Sequence, residues 1–246
     1  MRASPDIQEL VSDSRFIFSG TVVELGSSSV PNLPPRSNFA LVRIDHPLRS
    51  DPALGNLRGK LVTVALHDRG ELRPAEKVVF FTLDWIQGGG IAVRELAHVD
   101  VVREEEVAKE VARLPERHLA NRLADAILVV IADVTEIRPT PFDIRWRDAP
   151  QWAAATLRIL KVLRGQPIQI PTALFPTSGR PLWARSPRLK RGQRSIFLLH
   201  LPSDWPPLPE SGETPLLAFT LLDEADVQPE SQLALVEKLL GQGGIR

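Results

Sequence analysis

The sequence predicts a mainly β protein with a few short helices, organised as two similar domains in tandem. Three observations support this prediction: short apolar runs separated by turn-forming residues, the same order of runs in both halves, and a helical pattern that closes each half. Runs rich in Val, Ile, Phe and Thr are typical of strands, and Pro and Gly between them mark loops. The 246 residues suffice for two domains of ordinary size, each with its own core.

Five pairs of segments occur in the same order in the two halves. The first pair is "RFIFSGTVVEL" (15–25) with "ILVVIADVTEI" (127–137), two apolar runs that end at loops containing Gly or Pro. The second pair aligns Ile44 with Ile159. The remaining pairs are residues 60–66 with 168–175, 76–85 with 193–202, and 91–101 with 217–227. This repeated order indicates an internal duplication with five strands in each copy.

A short amphipathic helix is expected to close each half. Residues 104–114 and 229–240 carry apolar side chains three and four positions apart, which form one apolar stripe on a helix. The first helix is expected to end at Pro115, because proline breaks helices, and a second helical stretch follows it. The predicted domains are therefore residues 1–115 and 116–246.

Five strands with flanking helices suit a small barrel. The OB-fold is a five-stranded, partly open Greek-key barrel, and each half has the length for one such barrel and its helices. The predicted fold is all-β with minor helices: two tandem OB-like five-stranded β-barrels, each with short flanking helices. Without the duplication, the chain would form one irregular β-sandwich. Pro-rich segments at 26–38, 138–151 and 201–215 are expected to be surface loops.

Three segments of the second half carry a family resemblance. They are "ADAILVVIADVTEI" (124–137), "ATLRILKVLRG" (155–165) and "LKRGQRSIFLLHL" (189–201). In them the second half resembles the netrin-like OB modules, which include the inhibitory domain of tissue inhibitors of metalloproteases. The resemblance implies an OB-type barrel and protein–protein binding, and no catalysis. Those inhibitors reach the enzyme's zinc with an N-terminal Cys, and this chain has no Cys, so no functional residue is carried over.

The composition is typical of a soluble globular protein. Apolar residues make up 43% and charged residues 24%, and 30 basic and 30 acidic residues give no net charge. The absence of Cys excludes disulfides, cysteine-ligated metals and a thiol nucleophile, and favours a reducing compartment. The longest apolar run, residues 126–132, is far shorter than the ~20 residues that span a bilayer. We expect a cytoplasmic protein without a membrane partner.

No catalytic or metal-binding constellation is evident in the sequence. The five histidines lack metal-ligand spacing, and His67 has an acid beside it, Asp68. His67 is interpreted as an exposed residue at a strand end rather than a catalytic base. Gly88–Gly90 is interpreted as a hairpin loop, and Glu104–Glu106 as the acidic first turn of a helix. We therefore expect a non-enzymatic protein with no metal, no cofactor and no small-molecule substrate.

Positive charge is concentrated in the second half. Residues 138–194 contain twelve basic and two acidic residues, a net charge of +10, whereas residues 195–246 contain two basic and eight acidic residues, a net charge of −6. The candidate residues for binding a partner or nucleic acid all lie in the basic segment. They are Arg145, Trp146, Arg147, Arg180, Trp183, Arg185, Arg188, Lys190, Arg191 and Arg194.

Three interpretations of the basic segment are open. It forms a solvated or internally paired face, it binds an acidic protein partner, or it binds single-stranded nucleic acid through basic and aromatic side chains. Trp152 is expected in the core, whereas Trp146 and Trp183 are expected in loops. The predicted function is a protein–protein adaptor or a subunit of a larger assembly. The alternative is a single-stranded nucleic-acid-binding protein that uses the basic face of the second barrel.

Overall fold

A computed structural model of the chain describes most of its residues. Two compact units, residues 1–114 and 115–246, are present. β-strands dominate both units, as expected, and no helix of the described part of the chain is both long and apolar enough to cross a membrane. The described residues are 6–31, 33–67, 72–87, 90–140, 151–166, 169, 171–179, 183–202 and 218–242.

The first unit is a closed five-stranded barrel. Its strands are β1 (Phe16–Leu25), β2 (Phe39–Arg49), β3 (Leu61–Ala65), β4 (Lys77–Gln87) and β5 (Gly90–Asp100). They follow the order β1-β2-β3-β5-β4, and β4 closes the barrel by pairing with β1. Strands β3 and β5 run parallel, and the other neighbours are antiparallel. Stacked rings of Phe16, Phe18 and Phe80 fill the interior, with centroids 4.7 and 5.3 Å apart.

Two helices accompany the first barrel. Helix α1 (Ile7–Asp13) begins at Asp6, whose carboxylate accepts the backbone N–H of Gln8, and it buries Ile7 and Val11. Helix α2 (Glu104–Asp125) begins with three consecutive acidic residues, as expected for the positive end of a helix dipole. Val107 of this helix is buried with Val11 in the same apolar cluster, outside the barrel interior.

The expectation that the helix ends at Pro115 is wrong, because α2 continues through this proline to Asp125. Proline removes one backbone hydrogen bond and crowds the preceding turn. Burial of side chains on either side of Pro115 compensates for this loss of stability. Val107 is buried in the first unit, and Leu119 and Leu123 are buried in the second. Most helical stability in proteins comes from such packing rather than from local propensity.

The second unit is a six-stranded sheet that forms a half-barrel. Its strands are β6 (Leu128–Pro139), β7 (Trp152–Arg164), β8 (Thr172–Pro176), β9 (Arg194–Leu199), β10 (Ala218–Thr220) and β11 (Val227–Gln228). They follow the order β10-β8-β7-β6-β9-β11. Helix α3 (Leu233–Gln242) buries Val236 in a cluster with Ile196 and Leu198 of β9.

The closing strand of the second unit differs from the expectation of five strands. Two short strands, β10 and β11, stand where one strand was expected, and a turn at Glu224–Asp226 separates them. Strand β10 pairs in parallel with β8, and β11 pairs antiparallel with β9. A single bridge between His200 and Thr220 places the end of β9 beside β10. The sheet therefore approaches closure without one continuous closing strand.

The two units share irregularities of strand pairing. The register between β1 and β2 shifts at three points, and the register between β6 and β7 also shifts at three points. The shifts occupy positions that the sequence comparison aligns. They follow Ile17, Ser19 and Val22 in β1, and Val129, Ile131 and Val134 in β6. Each shift marks a β-bulge or similar irregularity, which re-aims the side chains that follow it.

A tight turn precedes the fourth strand of the first unit. The N–H of Ala75 donates to the carbonyl of Val22, and the N–H of Val22 donates to the carbonyl of Glu76, at 2.8 and 2.9 Å. The N–H of Glu76 donates to the carbonyl of Arg73, and the Glu76 carboxylate accepts the N–H of Arg73 at 2.8 Å.

The second unit builds its corresponding turn with the same bonds. The N–H of Gly192 donates to the carbonyl of Val134, and the N–H of Val134 donates to the carbonyl of Gln193, at 2.8 and 2.9 Å. The N–H of Gln193 donates to the carbonyl of Lys190, and the Gln193 side-chain oxygen accepts the N–H of Lys190 at 3.0 Å. The turns differ in charge, because a neutral Gln193 stands where the first unit has an acid.

The two turns predict opposite effects for adding and for removing a methyl group. Gly192→Ala is expected to destabilise the protein by about 1 kcal/mol, because left-handed backbone is strained with a Cβ. The φ of Gly192 is 81°, and an added methyl group would meet nothing within 4 Å, so no clash adds to the strain. Ala75→Gly, at φ 67°, is expected to stabilise the protein slightly or to leave its stability unchanged. Glycine relieves the strain, but it also raises the conformational entropy of the unfolded chain. Urea unfolding measures both; a stabilised Gly192→Ala variant would contradict the backbone explanation.

Candidate binding groove

An open groove of about 610 Å³ lies on the second unit. Strand β6 lies in the middle of the groove, with β7 on one side and β9 and the turn before it on the other. The sheet register explains its centre, because Asp133 of β6 lies opposite Arg158 of β7 and also opposite Arg194 of β9. The lining residues are Asp133, Val134, Thr135, Arg158, Arg191, Gly192 and Arg194.

Asp133 holds two of the three arginines. Its side chain is 11% exposed, and it accepts hydrogen bonds from Nη2 of Arg158 at 2.5 Å and from Nε and Nη2 of Arg194 at 2.8 and 3.3 Å. The hydrogen bonds from Arg194 and then Arg158 hold the pKa of Asp133 down to about 2. Asp133 is therefore ionised at neutral pH, and it fixes both guanidinium groups at the groove.

The groove carries excess positive charge. Its lining contains three arginines and one carboxylate, a net charge of +2. The side chains of Arg158 and Arg194 remain 67% and 51% exposed, and Arg191 is exposed in the turn. Neither a histidine nor a nucleophilic cysteine lines it. Oriented, accessible guanidinium groups are suited to binding an anion such as a carboxylate or a phosphate.

The matching surface of the first unit has more balanced charge. Thr21 takes the place of Asp133, and it lies opposite Arg43 in the β1–β2 register. Its hydroxyl donates to Asp45 at 2.6 Å, and Asp45 also lies 3.6 Å from Nε of Arg43. The turn there carries Glu76. The first unit therefore supplies acids beside its cations, whereas the groove lining of the second contains one acid, the buried Asp133.

Four predicted binding residues lie outside the described residues: Arg145, Trp146, Arg147 and Arg180. Trp183 is described, and its ring packs edge-on against Trp152 with centroids 6.1 Å apart. Trp152 is 4% exposed, in agreement with the expected core position. The contact with Trp152 engages one side of the Trp183 ring, which reduces its use as a stacking platform.

The structure separates the remaining predicted cations. Arg185 pairs with Glu224 at 3.3 Å, and Arg188 donates to the carbonyls of Pro176 and Ser178 at 3.2 and 2.8 Å. These two side chains thus have partners within the second unit. The others share one region: Arg191 and Arg194 line the groove, and Lys190 is exposed in the adjoining turn.

The predicted site does not include two charged residues of the groove, Asp133 and Arg158. From the sequence, Arg158 is interpreted as a solvated strand residue, and Asp133 is not among the candidate binding residues. A signal for Asp133 exists in the sequence, because "LVVIADVTEI" places one acid inside an otherwise apolar run. A carboxylate at such a position is largely buried and needs a cationic partner. The partner itself depends on strand register, which the sequence alone leaves open.

A second polar cluster is buried beside the turn that separates β10 and β11. Asp226 is fully buried, and it binds Arg122 of α2 and His200. Asp223 of the same turn accepts a hydrogen bond from His118 at 2.9 Å. Among the described residues, no three or more His, Asp or Glu side chains are arranged so that they could hold a metal ion. Because its charges are paired internally, we interpret this cluster as structural.

The chain is thus a mainly β protein with a closed barrel in its first unit and a cationic groove on its second. It matches no known protein-family model, and no curated protein matches it. The resemblance to netrin-like modules stays a prediction.

Proposed function

We propose that the chain is a non-enzymatic binding module whose second unit binds an acidic segment of a protein partner. It acts as an adaptor or as a subunit of a larger assembly in a reducing compartment such as the cytoplasm. The groove around Asp133 carries the proposal, because its arginines are oriented, accessible and in excess over acids. Guanidinium groups bind carboxylates through paired, charge-assisted hydrogen bonds.

We further propose that both units are OB-like barrels that arose by duplication. Three observations support this: the strand order of the first unit, the three matching register shifts, and the identically bonded turns. OB barrels use the face of their second and third strands and the neighbouring loops for ligands. Arg158 lies on β7, the counterpart of the second strand, so the groove lies close to that face.

The described aromatic residues favour a protein partner over nucleic acid. Sequence-independent binding of single strands uses exposed aromatic rings on which bases stack. Trp183 packs against Trp152. Large exposed apolar side chains of the described part of the chain are all aliphatic: Val23, Leu25, Leu61, Val102, Ile127, Leu160 and Leu201. Single-stranded nucleic acid remains the second candidate, because the arginines of the groove suit phosphates as well as carboxylates.

The Lys190→Ala/Arg191→Ala variant tests the groove. We expect it to weaken binding of a fluorescein-labelled, glutamate-rich 12-residue peptide about fivefold, because two exposed charges contribute roughly 0.5 kcal/mol each. Lys190 and Arg191 are chosen because Arg158 and Arg194 also hold the buried Asp133, so their removal would disturb the fold. Fluorescence anisotropy at two salt concentrations measures the affinity.

A matched control comes from the first unit. Lys60→Ala/Arg73→Ala removes the same charge, and both residues are exposed in turns, with Arg73 at the position equivalent to Lys190. This control is expected to bind the peptide like the unaltered protein. If both double variants weaken peptide binding equally, the effect is explained by net charge alone, and the groove is not the binding site. Tighter binding of labelled single-stranded DNA or RNA than of the peptide would favour the second candidate instead.

A further inference from the structure

The two arginines bound to Asp133 keep hydrogen-bond donors for a second anion. A guanidinium group carries five N–H donors in one plane. Arg158 uses Nη2 on Asp133, and Arg194 uses Nε and Nη2. Within the described ranges, Nε and Nη1 of Arg158 and Nη1 of Arg194 have no other partner. Since both side chains are more than half exposed, these donors are accessible from the groove.

The charge of the groove matches a dianion better than a single carboxylate. Three arginines and Asp133 sum to +2. A phosphoryl ester carries roughly −1.5 to −2 at pH 7 and presents three strong acceptor oxygens, whereas a carboxylate carries −1. Glu230, which does not line the groove, interacts electrostatically with Arg194. Lys190, also outside the lining, contributes a positive charge in the adjoining turn. Outside the lining, these two residues offset one another.

The turn beside the groove is specialised in the second unit. Arg191 stands where the first unit has Pro74, and Gln193 stands where it has Glu76, although the backbone bonds of the two turns are the same. Gln193 keeps the hydrogen bond to the turn without the negative charge that would repel a phosphate. Arg191 adds a third guanidinium. Both differences make the turn more positive, which favours an anion, while its backbone hydrogen bonds stay the same.

From these observations we infer that the groove recognises a phosphorylated side chain on the partner, with its phosphoryl group bound by Arg158, Arg191 and Arg194. This inference rests on the proposed function, because it names the chemistry of the acidic segment in the same groove. The partner is therefore a protein whose binding is switched on by phosphorylation of a serine or threonine within an acidic segment.

Three 12-residue peptides with the same acidic background test the inference. They differ at one central position, which holds serine, glutamate or phosphoserine. We expect the unaltered full-length protein to bind the phosphoserine peptide at least tenfold more tightly than the glutamate peptide. Arg191→Ala is expected to reduce that preference to threefold or less, and Arg73→Ala, in the equivalent turn of the first unit, to leave it unchanged. Anisotropy at constant ionic strength provides all affinities.

The outcomes separate the two proposals. Equal affinity for the glutamate and phosphoserine peptides, with both weakened by Arg191→Ala, would overturn the phosphate inference and retain the acidic-segment function. No binding of any peptide would overturn both. A phosphoserine preference that Arg191→Ala leaves intact would place phosphate recognition elsewhere and overturn the site. Tighter binding of single-stranded RNA than of the phosphoserine peptide would also overturn the inference, because the phosphates would then be those of a nucleic acid.

Discussion

Asp226→Asn is expected to destabilise the second unit by about 3–5 kcal/mol, the cost of removing one partner from a buried ion pair. Asp226 is fully buried and accepts hydrogen bonds from Nε and Nη2 of Arg122 at 2.6 and 2.7 Å and from His200 at 3.1 Å. It also accepts the backbone N–H groups of Leu222 and Asp223 at 2.8 and 3.0 Å. Asparagine keeps the shape but loses the charge, and its amide group would face these donors. Urea unfolding of the full chain measures the loss.

Acid unfolding provides a second readout for Asp226. Burial alone would raise the pKa of Asp226, but hydrogen bonds from His200 and Arg122 outweigh it and lower the pKa below its ordinary value of 3.8. A lowered pKa in the folded state contributes stability above the unfolded pKa, and this contribution is lost as the pH falls below it. We expect Asp226→Asn to remove that part of the acid dependence.

An exposed acid serves as the control for Asp226. Glu237→Gln breaks a surface pair with Lys161, whose side chains are 49% and 54% exposed, and should change stability by less than about 0.5 kcal/mol. If Asp226→Asn is as mild as this control, the cluster does not stabilise the closing turn.

Gly165→Ala is expected to destabilise the second unit by about 3 kcal/mol, through backbone strain and a steric clash together. Gly165 has a φ of 96°, and an added Cβ would lie 2.5 Å from the carbonyl oxygen of Ile127 and 3.1 Å from Cα of Leu128. These are backbone atoms at the start of β6, and moving them would disturb the strand pairing. The neighbouring Arg164 donates to the carbonyls of Leu123 and Ala126, so the same contact joins the end of β7 to the end of α2.

Gly192→Ala is the matched control for Gly165→Ala. Both glycines have positive φ, but an added methyl at Gly192 meets nothing within 4 Å. The difference between the two variants in free energy of unfolding therefore isolates the clash from the strain. Equal effects at the two positions would show that the ends of β6 and β7 yield without cost.

Strands and helix starts were predictable because their signals are local. The run predicted at 127–137 corresponds to β6 at Leu128–Pro139, and the acidic triplet marks the start of α2 at Glu104. Alternating or continuous apolar residues reveal a strand through side chains that are neighbours in the chain. Repetition of these local patterns was enough to align positions whose strand pairing is irregular in the same way in both units.

Features that depend on contacts between distant residues could not be predicted from the sequence. The continuation of α2 through Pro115 depends on burial of Leu119 and Leu123 against β-strand residues further along the chain. The turn that splits the closing strand contains Asp226, whose partner Arg122 lies 104 residues earlier. Local propensity opposes a helix through proline, and only packing energy outweighs it.

The groove shows the same division. By itself the sequence determined the mainly β class, the repeated order of strands and the concentration of positive charge in the second half. The tertiary structure alone decided which charges meet, since Asp133 lies 25 residues from Arg158 and 61 residues from Arg194. Strand register brings the three side chains onto one face, and each β-bulge changes which residue faces which neighbour. Register is set by contacts between segments far apart in the chain, and no local pattern contains that information.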